Sequence, residues 1–255
     1  MNNFYFFCIL SLLSCSNNET KKETVKIKAL STSLNSIEIC VDFNSLNIKI
    51  RDALIPKQEG ISTIQQLIPQ ITSAFYKNGG KKFKNSDWVF PVQGYDSKSI
   101  GGKAGNGYIV SGYDYFDGNK HKGHPAQDIF INDRNQDCMD DIKMKSVNVL
   151  SMTGGIVIAT AKDWDTTSDL RGGKYIWIYD PASNSFFYYA HNSKVLVQTC
   201  DIVIPGDVIA TVGRSGYNAF NKRSPTHLHL MQLKLDKNYY PKPVNCYSDL
   251  ITISH

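Results

Sequence analysis

No stretch of this 255-residue sequence is apolar for long enough to cross a bilayer as a helix. There is no Cys-x-x-Cys, which removes a zinc site built on paired thiolates. His-Glu-x-x-His is missing, and with it the helical arrangement of zinc proteases; Gly-x-Ser-x-Gly is missing too, and with it the nucleophile elbow of serine hydrolases. The net charge is only +5, with no dense basic run and no nucleic-acid-binding module, so no nucleic-acid partner is expected. What is present is a globular composition, 42% hydrophobic with 14 Tyr and 12 Phe, enough for one sizeable core and a small appendage.

The apolar run Phe4 to Cys15 has the length of a secretory signal's central region. It ends Leu12-Leu13-Ser14-Cys15-Ser16, which resembles a bacterial lipobox, although Met1-Asn2-Asn3 lacks the positive charge such signals normally carry. Residues 1–15 are therefore expected to be a lipoprotein-type signal peptide. Residues 16–26, polar and without apolar periodicity, are expected to be a tether. The expected location is outside the cytoplasm, on a membrane through a lipid on Cys15, facing the periplasm or cell wall. Cys40, Cys138, Cys200 and Cys246 then remain for oxidation, with three complete pairings open and nothing in the spacing to choose among them.

Ile37 to Phe43 and Leu46 to Ile50 alternate as two short strands would. Ile61, Ile64, Leu67, Ile68, Ile71 and Phe75 recur at helical spacing, with Pro69 as an expected kink and Asn78-Gly79-Gly80 as a stop. Residues 27–84 thus read as a small α/β appendage whose helix packs on the main domain. From residue 85 to 255 the pattern is mainly β. Val147 to Leu150, Ile156 to Thr160, Tyr175 to Tyr179 and Phe186 to Ala190 read as strands. Ile202 to Ile204 and Val208 to Val212 read as a hairpin-like pair about Pro205-Gly206-Asp207. Many short strands with little helix between them predict an antiparallel, sandwich-like domain.

Within Ser224 to Leu235 apolar and polar residues alternate, which puts His227 and His229 on one face of a strand. Such a pair suits a metal, or a metal ligand beside a proton carrier. Upstream, Gly123-His124-Pro125-Ala126-Gln127-Asp128 sets a histidine four residues before a carboxylate. Pro125 argues against a helix through them, so a loop is expected to deliver His124 into a strand that carries Asp128. A carboxylate on a buried strand is costly unless paired or coordinating. His191 closes the strand Phe186 to Ala190. A His-carboxylate pair plus one distant His matches a catalytic zinc with its fourth position open, and strand geometry leaves His227 and His229 equivalent as the third ligand.

The order His-x-x-x-Asp, Tyr-x-His, Gly-Asp-x-Ile, Gly-x-Ser-Gly and His-Leu-His, over about three fifths of the chain from Trp88 to Leu235, resembles the lysostaphin/LytM-type zinc metallopeptidases. That resemblance implies an endopeptidase that cuts the peptide cross-links of peptidoglycan with a zinc cofactor. It implies His124, Asp128 and His229 as metal ligands and His191 and His227 as the catalytic pair, one a general acid-base and the other a donor to the oxyanion. The family usually has Gly where this chain has Ala126, a difference of one methyl group that is expected to be tolerated. Relatives lacking some of these five residues serve instead as non-catalytic activators of other wall hydrolases; all five residues are present here.

Overall fold

The computed structural model describes residues 38–220 and 224–253. The signal-peptide and tether readings lie outside the described residues. Among the described residues ten strands form two antiparallel sheets. The larger follows the order β1 (Ala126–Phe130), β9 (His227–Leu235), β5 (Ser185–Asn192), β4 (Lys174–Asp180), β3 (Gly155–Ala161), β7 (Ile202–Val203). β10 (Pro241–Val244) pairs with the second half of β9, along the edge whose first half is taken by β1. The smaller sheet is β2 (Asn148–Leu150), β8 (Val208–Thr211) and β6 (Lys194–Val195).

The central strands read as nearly continuous apolar runs because both of their faces are covered. One face sends Val157, Ile176, Ile178, Phe187, Leu228 and Leu230 against Val149 and Ile209 of the small sheet and Val212 just after it. This is the expected sandwich. The other face sends Ile158, Tyr175, Trp177, Phe186, Met231 and Leu233 against the N-terminal helices. His227 and His229 belong by parity to this second face, that of Met231 and Leu233, and so does Asp128, two residues from buried Ala126.

Two expectations are corrected. The appendage is helical among its described residues rather than α/β: α1 runs over 38–51, where two strands were expected. Cys40, Phe43, Leu46, Asn47 and Ile50 are its buried residues, a spacing of three and four that lies within the same letters as the period-two alternation. Nor do β7 and β8 form a hairpin. β7 pairs with β3 in the large sheet and β8 with β2 and β6 in the small one, so the turn at Pro205-Gly206-Asp207 passes the chain between layers.

The second helix, α2 (Lys57–Lys77), is as expected, and it runs on through Pro69, which is exposed. Asn78-Gly79-Gly80 ends it: Gly79 takes φ +90°, and the Gly80 N–H donates to Phe75 O at 2.9 Å. α1 is fixed to the sheet by polar contacts as well as packing. Asn47 Nδ2 donates to the Tyr175 hydroxyl at 3.1 Å and Arg51 Nη1 to the same oxygen at 3.2 Å. A disulfide joins Cys40 to Cys200, 160 residues apart, while Cys138 and Cys246 are free thiols. On the chain-entropy account a loop of that size restrains the unfolded state by about 5 kcal/mol, which makes it the strongest single tie between α1 and the β domain.

Candidate functional site

Antiparallel pairing assembles the site from distant parts of the sequence. Asp128 on β1 is directly opposite His229 on β9, and Phe130 is opposite His227. On the other edge of β9, His229 is opposite Ala190 of β5, the residue before His191. Cross-strand partners present their side chains on one face a few ångströms apart, so this register gathers a carboxylate and two imidazoles, while His191, which regular alternation would turn to the other face, joins them where its backbone takes a left-handed conformation. His124 joins them from the loop before β1, held by a two-way backbone bridge to Ile109: His124 N–H donates to Ile109 O at 2.7 Å and Ile109 N–H returns to His124 O at 2.8 Å. All five residues read from the sequence thus meet at one place, and Pro125 stands between loop and strand as expected.

His124, Asp128 and His229 offer one ligand atom each within 4.8 Å of one another. His124 Nε2 is 3.3 Å from Asp128 Oδ2 and His229 Nδ1 is 3.0 Å from Asp128 Oδ1. A tetrahedral ion with bonds of about 2.0–2.1 Å has ligand-to-ligand edges of about 3.3 Å, so the donor set fits zinc in both type and spacing. The His124 Nδ1–H donates to Gly107 O at 2.9 Å, so Nε2 faces the carboxylate, donating to it while the ring is protonated and offering a lone pair to a metal once it is neutral. An outward hydrogen bond that fixes the ring in this way is the usual support of a metal-binding histidine.

The other two histidines are held differently. His227 Nδ1 lies 2.7 Å from Pro225 O and His191 Nδ1 lies 2.8 Å from Ser215 O; with these nitrogens donating, Nε2 is the free lone pair on both rings. His227 Nε2 is 3.7 Å from Asp128 Oδ1, and the His191 and His227 ring centroids are 4.9 Å apart. His191 takes φ +65°, an uncommon left-handed conformation for a residue with a side chain, just where β5 ends. Its partner Ser215 belongs to Gly213-Arg214-Ser215-Gly216. Gly216 sits at φ +99°, and a Cβ there would fall 2.5 Å from Arg171 O, so glycine is required for this close approach. Ser215 Oγ donates to Asn192 O and accepts from Lys174 N–H, which locks the loop under His191.

The electrostatics follow from the crowding. Burial alone raises the Asp128 carboxyl, but hydrogen bonds from His124 and His229 and the charges of His229 and His227 outweigh it and hold the group well below the usual carboxylate range. His124 is raised, chiefly by its hydrogen bond to Asp128. His191 is pushed well down by burial and then by the charges of His227 and His229; His229 is lowered chiefly by burial. A third set of residues, which no motif revealed, borders the same pocket: Asn119, His121, Arg171, Tyr188 and Asn218. His121 is held down to about 4, by burial first and the Arg171 charge second. Beyond Arg171 the pocket continues into a cleft of about 880 Å³, one wall of which is Arg51, the last residue of α1, and Asp52 in the turn after it.

Comparison with known proteins adds the following. Residues 140–241 match Peptidase family M23, a span that contains His191, His227 and His229 and begins after His124 and Asp128. No curated protein matches the chain. Among solved structures, a lytM protein from Ruminococcus gnavus is similar at 24% identity and a TM-score of 0.44, over 77% of this chain and 70% of that one. The antimicrobial peptidase lysostaphin from Staphylococcus simulans is similar at 18% identity and a TM-score of 0.38, over 68% of this chain and 53% of its own. A zinc-containing peptidase from Vibrio cholerae is similar at 20% identity and a TM-score of 0.40, over 66% of this chain and 40% of its own. Over residues 140–241, then, the chain is similar to Peptidase family M23.

Proposed function

We propose that the protein is a zinc-dependent endopeptidase that hydrolyses peptide cross-links of bacterial peptidoglycan outside the cytoplasm. The observation that carries this reading is the division of four imidazoles around one carboxylate: two face Asp128 at zinc-ligand spacing, and two more have Nδ1 on backbone carbonyls and Nε2 free. His124, Asp128 and His229 would hold the zinc ion, which when bound would act as a Lewis acid on the scissile carbonyl and acidify water. His191 or His227 then accepts the water proton at Nε2 and returns it to the leaving amine, and the other donates a hydrogen bond to the developing oxyanion. Asp128 stays ionised throughout, and with Nδ1 on a backbone carbonyl the base presents its Nε2 lone pair, while the oxyanion donor acts as an imidazolium with both nitrogens protonated.

The second reading is a non-catalytic member that binds and activates another wall hydrolase. The complete set of five side chains, gathered around the Asp128 carboxylate, favours hydrolysis. The zinc-loaded protein is expected to release soluble muropeptides from purified peptidoglycan without any added hydrolase, and the products are read by mass spectrometry; release only when a second hydrolase is present would establish the activator instead. Export and attachment to a membrane through Cys15 belong to the same proposal, supported by the lipobox-like ending of the apolar run.

A further inference from the structure

We propose that Arg171 is the specificity-determining residue of this site and pairs with a free carboxylate that the substrate peptide carries beside the scissile bond. The inference rests on the reading of the site as peptide-hydrolysing and names the substrate class that reading leaves open: acidic cross-links rather than uncharged glycine bridges.

Arg171 stands where the pocket of His124, His191 and His229 opens into the larger cleft, and it borders both. The cleft's two arginines differ in what they hold. Arg51 is already occupied by its own neighbour, with Nε 2.7 Å from Asp52 Oδ1 and Nη2 2.7 Å from Asp52 Oδ2. Arg171 has no carboxylate in ion-pair reach among the described residues. Its Nη1 donates to two backbone carbonyls, of Asn119 at 3.2 Å and of His121. Those bonds fix the plane of the guanidinium and leave Nε and Nη2 without a protein acceptor among the described residues. That remaining edge has the fork geometry that receives a carboxylate through two parallel hydrogen bonds.

The backbone around Arg171 is set just as firmly. Gly172 O accepts from the His191 N–H at 2.9 Å, so the arginine is one residue from a direct tie to a catalytic histidine. Tyr217 N–H donates to Leu170 O at 3.0 Å on its other side. No Asp or Glu lines the inner pocket beside it, whereas the acids of the cleft, Asp52, Asp163 and Asp169, are exposed and lie on the outer side. A substrate carboxylate that entered the inner pocket would therefore meet a pre-positioned cation, with the ionised carboxylate of the site, Asp128, already engaged by His124 and His229.

The test uses two peptides, in each of which D-alanine is joined to the α-amine of a C-terminal lysine, so that the lysine α-carboxyl stands beside the scissile bond. One has the lysine α-carboxyl free and the other has it as a primary amide. Full-length zinc-loaded protein is expected to cleave the free acid about 10- to 100-fold faster in kcat/KM than the amide, the range typical of a charge-assisted fork. Arg171→Gln is expected to bring that ratio to within about threefold by losing rate on the acid alone. A ratio near one in the unmodified protein overturns the proposal. So does an equal loss on both peptides in Arg171→Gln, which would make the residue a support for the loop of Asn119 and His121. Fluorescence anisotropy with the same peptides, labelled, separates this inference from the hydrolase reading. An Arg171-dependent preference for the acid in binding, without cleavage, sustains the carboxylate site and sinks hydrolysis; no preference in binding or cleavage sinks the carboxylate site, whatever the muropeptide assay shows.

Discussion

His227→Ala is expected to bind zinc as tightly as the unmodified protein while its turnover of peptidoglycan falls by about two to four powers of ten, the worth of a positioned general acid-base. The ring is 4% exposed, with Nδ1 against Pro225 O and Nε2 aimed past Asp128, so it is close to the ligand set without completing it. The effect should lie in kcat more than in KM, because the lost group acts on a proton in flight rather than on the bound ground state. Zinc content by atomic absorption and turnover on one purified sample decide the matter. If the variant loses its metal, His227 is a ligand and the roles of His227 and His229 are exchanged. His191 gives an internal comparison. With its own Nδ1 on Ser215 O, it should show the same retention of zinc and a similar loss of rate, and the double variant should lose little more than either single one if the two histidines act on one step.

Why the site was legible in the sequence and parts of the fold were not comes down to how far each signal reaches. Period-two alternation fixed the side of β9 that carries His227 and His229, and Pro125 fixed the loop-to-strand entry of His124 and Asp128. Both are local rules, and both held. Alternation failed at residues 38–51 for an equally local reason. Over a dozen residues the same apolar letters satisfy period two and a three-four spacing, and what decides is the sheet surface of Tyr175 and Phe186 on which Cys40, Phe43 and Ile50 pack. The turn at Pro205-Gly206-Asp207 was located correctly, but turn chemistry does not reveal whether the next strand pairs with the last or crosses to another layer. The choice of Cys200 for Cys40 follows from that same packing, with Cα atoms 5.6 Å apart across 160 residues. Arg171, His121 and Asn119 were missed because nothing in their own segments sets them apart. They matter through the loops that meet over β5, and only pairing in three dimensions brings them beside His191.

Removal of the His124 ring should be the most damaging change the fold itself can survive. His124→Ala is expected to weaken zinc binding by more than the 10- to 100-fold typical of losing an outer-shell partner, and to bring hydrolysis to background with it. The fold should withstand it because the residue's structural work is done by its backbone, in the two-way bridge to Ile109, which alanine preserves. Its side chain is 36% exposed, so truncation opens little cavity. Asp128 offers no such clean test: partly buried and hydrogen-bonded to two histidines, its replacement would leave those imidazoles without their acceptor and confuse loss of metal with loss of packing. Melting temperatures of the metal-free proteins should therefore agree within a few degrees between His124→Ala and its parent, while zinc should raise the melting temperature of the parent far more than that of the variant. A variant that still takes up one zinc per chain and still cleaves would remove His124 from the ligand set and leave the site to be built on Asp128, His227 and His229, the other three groups around the same carboxylate.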